Sequence, residues 1–140
     1  MKKALITGVT GQDGSYLTEF LLKKNYQVFG SYRKTSHRQF ERLEAMNILD
    51  KVKLIYADLI DQTSLNRLVK RVQPDEIYNL AAQSFVGVSF VEPFLTTEVT
   101  GIGALRIFEA VKEFSPKSKI YQASSSEMFG NSEEIKTENS

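Results

Sequence analysis

Lys3-Ala4-Leu5-Ile6-Thr7-Gly8-Val9-Thr10-Gly11-Gln12-Asp13-Gly14-Ser15-Tyr16-Leu17 is the stretch on which the fold turns. It opens with a short apolar run, its glycines fall at positions 8, 11 and 14, and residues 16–24 then carry Leu17, Phe20, Leu21 and Lys24 at helical spacing. Strand, tight turn, helix is the simplest parse. Gly8 lets the chain turn sharply, Gly11 lets backbone approach an anion with no side chain between, and Gly14 lets the helix pack closely against the strand. The free N–H groups of the helix's first turn, with the helix dipole behind them, face whatever anion the turn holds. Gly8, Thr10, Gly11, Gln12, Asp13 and Gly14 therefore read as a cradle for a pyrophosphate. Three glycines also serve an ordinary tight turn; the position between strand and helix is what points to a dinucleotide.

Working outward, residues 27–31, 52–56, 76–80 and 120–123 are further strand candidates. Asp61 is placed to cap a helix in which Leu65, Leu68, Val69 and Val72 recur at i, i+3, i+4 and i+7, and Pro74 stops it. Pro93 is placed to open a long helix carrying Leu95, Val99, Ile102, Leu105, Phe108 and Val111, with Gly101, Gly103 and Ala104 permitting close approach. That helix is apolar over much of its circumference and needs cover on more than one side. Strands alternating with helices give parallel strands joined by right-handed crossovers. The expected architecture is an α/β, Rossmann-type doubly wound parallel sheet of about five strands in the order 3-2-1-4-5, with a ligand beyond the carboxyl ends of strands one and four.

Composition narrows the function classes. The 140 residues fit one domain, spanning 1–140, and 41% hydrophobic with 25% charged residues is globular usage. Lys and Arg number 18 against 17 acids, a formal net charge of +1, so bulk attraction to nucleic acid or to an anionic membrane is not expected and any anion needs a local site. No apolar run has the length of a signal peptide or a bilayer span. The absence of cysteine excludes disulfides and thiolate metal sites and fits a reducing compartment, read here as the cytoplasm; no metal site is expected.

The end of the second strand decides the cofactor. An acid there would take a ribose 2′-hydroxyl, but the chain places Tyr32, then Arg33 and Lys34, with Arg38 close behind. Guanidinium suits a 2′-phosphate, so NADP is expected over NAD, with Arg33 its ligand. Lys34 and Arg38 read equally as a solvated basic loop, and His37 as a surface residue. After strand three, Asp58 and Leu59 are placed to bracket an adenine by its amino group and its face, or merely to lead into the next helix. After strand four, Leu80 and the small Ala81 and Ala82 let a cofactor pass close to backbone at the switch point; ordinary packing explains the alanines nearly as well.

These residues resemble the extended short-chain dehydrogenase/reductases, and among them most closely the GDP-mannose 4,6-dehydratase family. The resemblance rests on residues 7–17, on Asn79-Leu80-Ala81-Ala82-Gln83-Ser84 with Gly87-Val88-Ser89-Phe90, and on Ala123-Ser124-Ser125-Ser126-Glu127-Met128-Phe129-Gly130. It implies a lyase that converts GDP-mannose to GDP-4-keto-6-deoxymannose with enzyme-bound NADP. Ser125 matches the family's active-site hydroxyl and Glu127 its acid/base. Ser126 ahead of Glu127, where related deoxynucleotide-glucose dehydratases carry Asp, fits the GDP-mannose pattern. In the family the helix opened by Pro93 contributes to subunit pairing and the loop containing Arg33 approaches a neighbouring subunit, so a homo-oligomer, dimer or tetramer, is implied.

The family's Tyr and Lys, four residues apart, do not occur downstream of Glu127. They, the later strands and the substrate lobe are expected beyond Ser140, which makes this a partial NADP-binding domain that binds cofactor without turnover. A nucleotide-sugar reductase or epimerase, or a non-catalytic NADP-binding module, remains an alternative at this point.

Overall fold

A computed structural model describes residues 1–131 and 133–140 of the chain. Five strands, β1 (Lys3–Thr7), β2 (Gln27–Tyr32), β3 (Lys53–Tyr56), β4 (Glu76–Asn79) and β5 (Lys119–Gln122), pair in parallel in the order β3-β2-β1-β4-β5. Ala4, Leu5 and Ile6 of the central strand are fully buried. Because side chains alternate across a strand, they divide between two cores. Ala4 and Ile6 pack with Val9, Leu21, Val28 and Leu43 on the face covered by α1 (Gln12–Lys23) and α2 (Glu41–Ala45). Leu5 packs with Leu65, Leu68, Val69, Ile77, Ile107 and Val111 on the face covered by α3 (Gln62–Val72) and α6 (Gly103–Phe114).

The stripe foreseen on α3 is buried at Leu65, Leu68, Val69 and Val72, and Asp61 caps it by accepting the Thr63 N–H at 2.9 Å. Several boundaries shift for local reasons. α1 starts at Gln12, not residue 16, because Gly11 is already its N-cap. β4 ends at Asn79 because the Leu80 N–H leaves the ladder to bond the Thr7 hydroxyl at 3.1 Å. β5 runs over Lys119–Gln122, one residue earlier than expected, and Ser124, at φ +60°, turns the chain away.

Between β4 and β5 the path is less regular than one helix from Pro93. A short α4 (Val86–Val91), not foreseen, comes first; α5 (Pro93–Thr96) follows, with Pro93 in its first turn. A wide π turn (Thr97–Ile102) then leads into α6. Gly103 lies against Leu59, whose Cβ would be 2.9 Å from a methyl placed there, but Gly101 has nothing within 4 Å, so no close approach needs a glycine at 101. Phe94 and Leu105 are 87% and 52% exposed, which leaves the apolar face of this segment uncovered. No helix among the described residues is long and apolar enough to cross a membrane.

Candidate functional site

The carboxyl ends of the strands open on a cleft of about 580 Å³. The glycine turn contributes Gly8, Thr10 and Gly11; the exit of β2 gives Ser31, Tyr32 and Arg33; the exit of β3 gives Ala57, Asp58 and Leu59. Leu80, Ala81, Ala82, Gln83, Ser84 and Phe85 line it after β4, and Leu95 and Val99 close it from the helical segment. Nine of the fourteen residues singled out from sequence thus meet in one cavity, at the point where the strand order reverses.

The turn is built by sterics. Gly8 has φ +69°, and a Cβ there would stand 3.0 Å from the Ala81 backbone; the small residues after β4 belong to the same close approach. A Cβ on Gly14 would come within 2.3 Å of the Gly8 carbonyl oxygen, so this glycine protects the turn itself rather than the seam between helix and strand. The Gly11 N–H donates to Gly8 O at 3.0 Å, and among the described residues no side chain caps α1. Its first N–H groups, at Gln12, Asp13 and Gly14, follow directly on the cleft-lining Gly11. These three residues do not line the cavity.

A buried polar relay underlies the floor, and sequence reading missed it. The Gln122 side chain of β5 accepts the Asn79 amide at 2.7 Å, the Thr7 hydroxyl donates to the Asn79 carbonyl oxygen, and the Thr7 oxygen accepts the N–H groups of Leu80 and Ala81, each at 3.1 Å. Thr7 and Asn79 are 1% exposed. Polar side chains at the last position of two central strands were the available signal, since burial there demands partners.

The basic loop sorts into separate roles. Arg38 pairs with Glu44, and the Lys34 ammonium lies 5.3 Å from the centre of the Tyr56 ring. Arg33 lines the cleft and makes no ion pair among the described residues. Arg42, not singled out from sequence, donates to the Thr10 carbonyl at 3.3 Å and so fastens α2 to the glycine turn. His37 is exposed. The Asp58 carboxylate accepts the Ile60 N–H at 3.2 Å, a local turn bond that occupies one of its oxygens.

Ser125 and Glu127 do not reach the cleft. They lie on an exposed 3-10 turn (Ser126–Phe129) beyond β5, where the Ser125 hydroxyl oxygen accepts the Glu127 N–H at 3.2 Å. They sit one strand away from β4, at the edge of the sheet. The Ser126 side chain lies outside the described residues. The clearest perturbed ionisations are at the opposite, amino end of the strands. There Glu76 accepts from Tyr78, Tyr26 and Lys2 at 2.8, 3.2 and 3.1 Å. The Tyr78 hydroxyl, then Lys2 and Tyr26, hold the Glu76 carboxyl below its ordinary range, against the opposing effect of burial. Burial first and Glu76 second push the Tyr78 phenol up to about 12. This cluster joins β4 to the start of the chain and is remote from the cleft.

The sequence pattern of the family described as GDP-mannose 4,6 dehydratase matches residues 5–140. The chain belongs to that family. A GDP-mannose 4,6-dehydratase of Yersinia enterocolitica is 51% identical over 96% of this chain and 38% of its own length. GDP-mannose 4,6 dehydratase 2 of Arabidopsis thaliana is 52% identical over 92% of this chain and 37% of its own. The chain therefore spans less than two fifths of the length of these dehydratases. The crystal structure of a UDP-glucose 4-epimerase from Thermus thermophilus, in complex with NAD, superposes with a TM-score of 0.70 at 28% identity, over 80% of this chain and 34% of that one.

Proposed function

We propose that the chain is the cofactor-binding part of a GDP-mannose 4,6-dehydratase, a lyase that binds NADP and acts in nucleotide-sugar metabolism. The observation that carries the cofactor reading is the single cleft joining the glycine turn, Arg33, Asp58 with Leu59, and Leu80 to Ala82. The residues present fit a dinucleotide. Gly11 has only the Gly8 carbonyl oxygen within 4 Å of where a Cβ would be, so its open side admits a diphosphate, and the uncapped first turn of α1 offers N–H donors to it. Gln12, Asp13 and Gly14 supply those donors, and Gly8, Thr10 and Gly11 the approach. Arg33 takes the 2′-phosphate, where a carboxylate would be needed for a bare ribose. Asp58 and Leu59 border the adenine, and Leu80, Ala81 and Ala82 the backbone side of the cofactor.

NADP, when bound, would supply reversible hydride chemistry for the mannosyl ring, held by the glycine turn, Arg33 and the residues after β4. The chain's own part is to bind, orient and move protons. Ser125, whose hydroxyl oxygen accepts the Glu127 N–H, is the hydroxyl for orienting the sugar's C4 oxygen, from the edge of the sheet and outside the cofactor cleft. Glu127 is the group for the C5 proton and the C6 hydroxyl. With no Tyr followed four residues later by Lys after Glu127, residues 1–140 bind NADP but do not turn over. The absence of cysteine accords with a cytoplasmic setting, and the uncovered apolar face of α5 and α6 accords with pairing of two copies.

The test is a chimera in which residues 1–140 replace the matching segment of the Yersinia dehydratase. Incubation with GDP-mannose is expected to give the 4-keto-6-deoxy product without net NADPH consumption, while the 140-residue chain alone gives none. A folded, NADP-loaded chimera that leaves GDP-mannose unchanged, or that consumes NADPH stoichiometrically, overturns the proposal.

A further inference from the structure

In the segment after β4 every polar group of Gln83 is engaged. Its backbone N–H donates to the Thr100 hydroxyl oxygen at 3.1 Å, and the Thr100 hydroxyl lies 3.4 Å from its carbonyl oxygen. Its side-chain oxygen accepts the Phe85 N–H at 2.7 Å, and its amide donates both to the Phe85 carbonyl at 3.2 Å and to the Thr96 hydroxyl oxygen at 3.1 Å. Thr96 ends α5, and Thr100 lies in the π turn. One side chain therefore folds the exit loop back on itself and fastens it to the helical wall.

Gln83, Ser84 and Phe85 line the cleft on the β4 side, as do Leu95 and Val99, which neighbour the two threonines in sequence. Phe85 is 71% exposed, so packing does little to fix this stretch. Hydrogen bonds fix it: the Phe85 carbonyl accepts the Val88 and Ser89 N–H groups at 3.1 and 3.3 Å, which tie it to α4, and the three bonds of the Gln83 side chain are those that close the loop over Ser84 and tie it to Thr96. Arg33 and Asp58 mark the other end of the cleft, at the exits of β2 and β3. A dinucleotide laid across the switch point has its adenosine at that end and its second nucleoside toward β4.

We infer that Gln83 is a positioning residue for the nicotinamide half of the cofactor: its side chain pins residues 84 and 85 to Thr96 and so preforms the wall against which that half lies. The inference rests on the dinucleotide reading above and adds the residue that orders one half of the site. Loss of the pin obliges the cofactor to order the loop on binding, which weakens whole dinucleotide and leaves an adenylate fragment unaffected.

The experiment is calorimetric titration of the full 140-residue chain with NADPH and with 2′,5′-ADP, together with the fluorescence of bound NADPH, for the native sequence, Gln83→Leu and Thr96→Val. Gln83→Leu keeps the backbone bond to Thr100, and Thr96→Val breaks the same pin from the helix side should Gln83→Leu fail to fold. Both variants are expected to weaken NADPH by about tenfold and to dim the bound nicotinamide emission, with 2′,5′-ADP affinity unchanged within about twofold. Equal losses for both ligands, or no loss for either, overturn the role of Gln83 while leaving the cofactor reading intact. A native chain that binds neither ligand overturns both.

Discussion

At the end of β2, where a carboxylate would take up a ribose hydroxyl, the chain places Tyr32 and then Arg33, which lines the cleft while Lys34 and Arg38 are drawn to Tyr56 and Glu44. Only Arg33 of the three is spare for a ligand, so Arg33→Ala is expected to weaken NADPH by ~10- to 100-fold, the loss of a charge-assisted hydrogen bond, and to leave NADH binding unchanged. Competitive titration of the two reduced cofactors reads the difference; equal effects on both would assign Arg33 to the solvated loop. Gly14 makes a separate claim. A methyl there meets the Gly8 carbonyl oxygen at 2.3 Å, a backbone atom that cannot swing aside, so Gly14→Ala is expected to cost about 2–3 kcal/mol in urea unfolding. Retention of full stability would mean that the turn has slack.

At the scale of elements, the helix start at Asp61 and the cluster at Glu76 each carry a measurable share of stability. Asp61→Ala removes the acceptor for the Thr63 N–H and is expected to cost about 1 kcal/mol in the same unfolding assay. Glu76 has a depressed carboxyl in the fold and an ordinary one, at 4.5, in the unfolded chain. Its contribution is therefore present above pH 4.5 and lost as pH falls through the folded value. Glu76→Gln should flatten the acid limb of the melting curve below that pH; a parallel limb in both proteins would contradict the assignment. Tyr78 acts at the other extreme: its phenol is raised from 10.0 to about 12, so stability falls as pH climbs through that interval.

The regular elements were legible because single-segment patterns set them. The run at 3–7, the stripe on α3 and the cap at Asp61 need no distant partner to be read. α4 was not legible: Val86-Gly87-Val88-Ser89-Phe90-Val91 is rich in β-branched residues, yet it coils between the Gln83 side-chain bonds and Pro93. Nor was the π turn, whose Glu98 carbonyl accepts both the Gly103 N–H and, at 3.3 Å, the Arg106 guanidinium, which also reaches the Leu59 carbonyl at 3.3 Å. That bond depends on another element's backbone and leaves no mark in the local sequence. Of the candidate site, the positions of Gly8, Gly11, Arg33 and the small residues after β4 around one cleft were readable from their places at strand ends. The relay of Thr7, Asn79 and Gln122 was not, because each of its members looks ordinary until three strands are aligned.

At the scale of the whole molecule, two surfaces are left uncovered. β5 has no partner on its outer edge among the described residues, and Phe94, Leu105 and Phe108 are exposed on the helical segment. Association through that segment predicts a sedimentation coefficient that rises with concentration and falls to the monomer value in Leu105→Glu; a monomeric native chain would mean that this face is not a pairing surface. The cleft is lined from every strand exit from β1 to β4, so ligand binding reports on the arrangement of those four strands. Calorimetric titration of the native chain with NADPH and NADH in parallel tests this most directly. The account predicts saturable one-to-one binding of NADPH at least tenfold tighter than NADH. Indifference to NADPH, or preference for NADH, would contradict it.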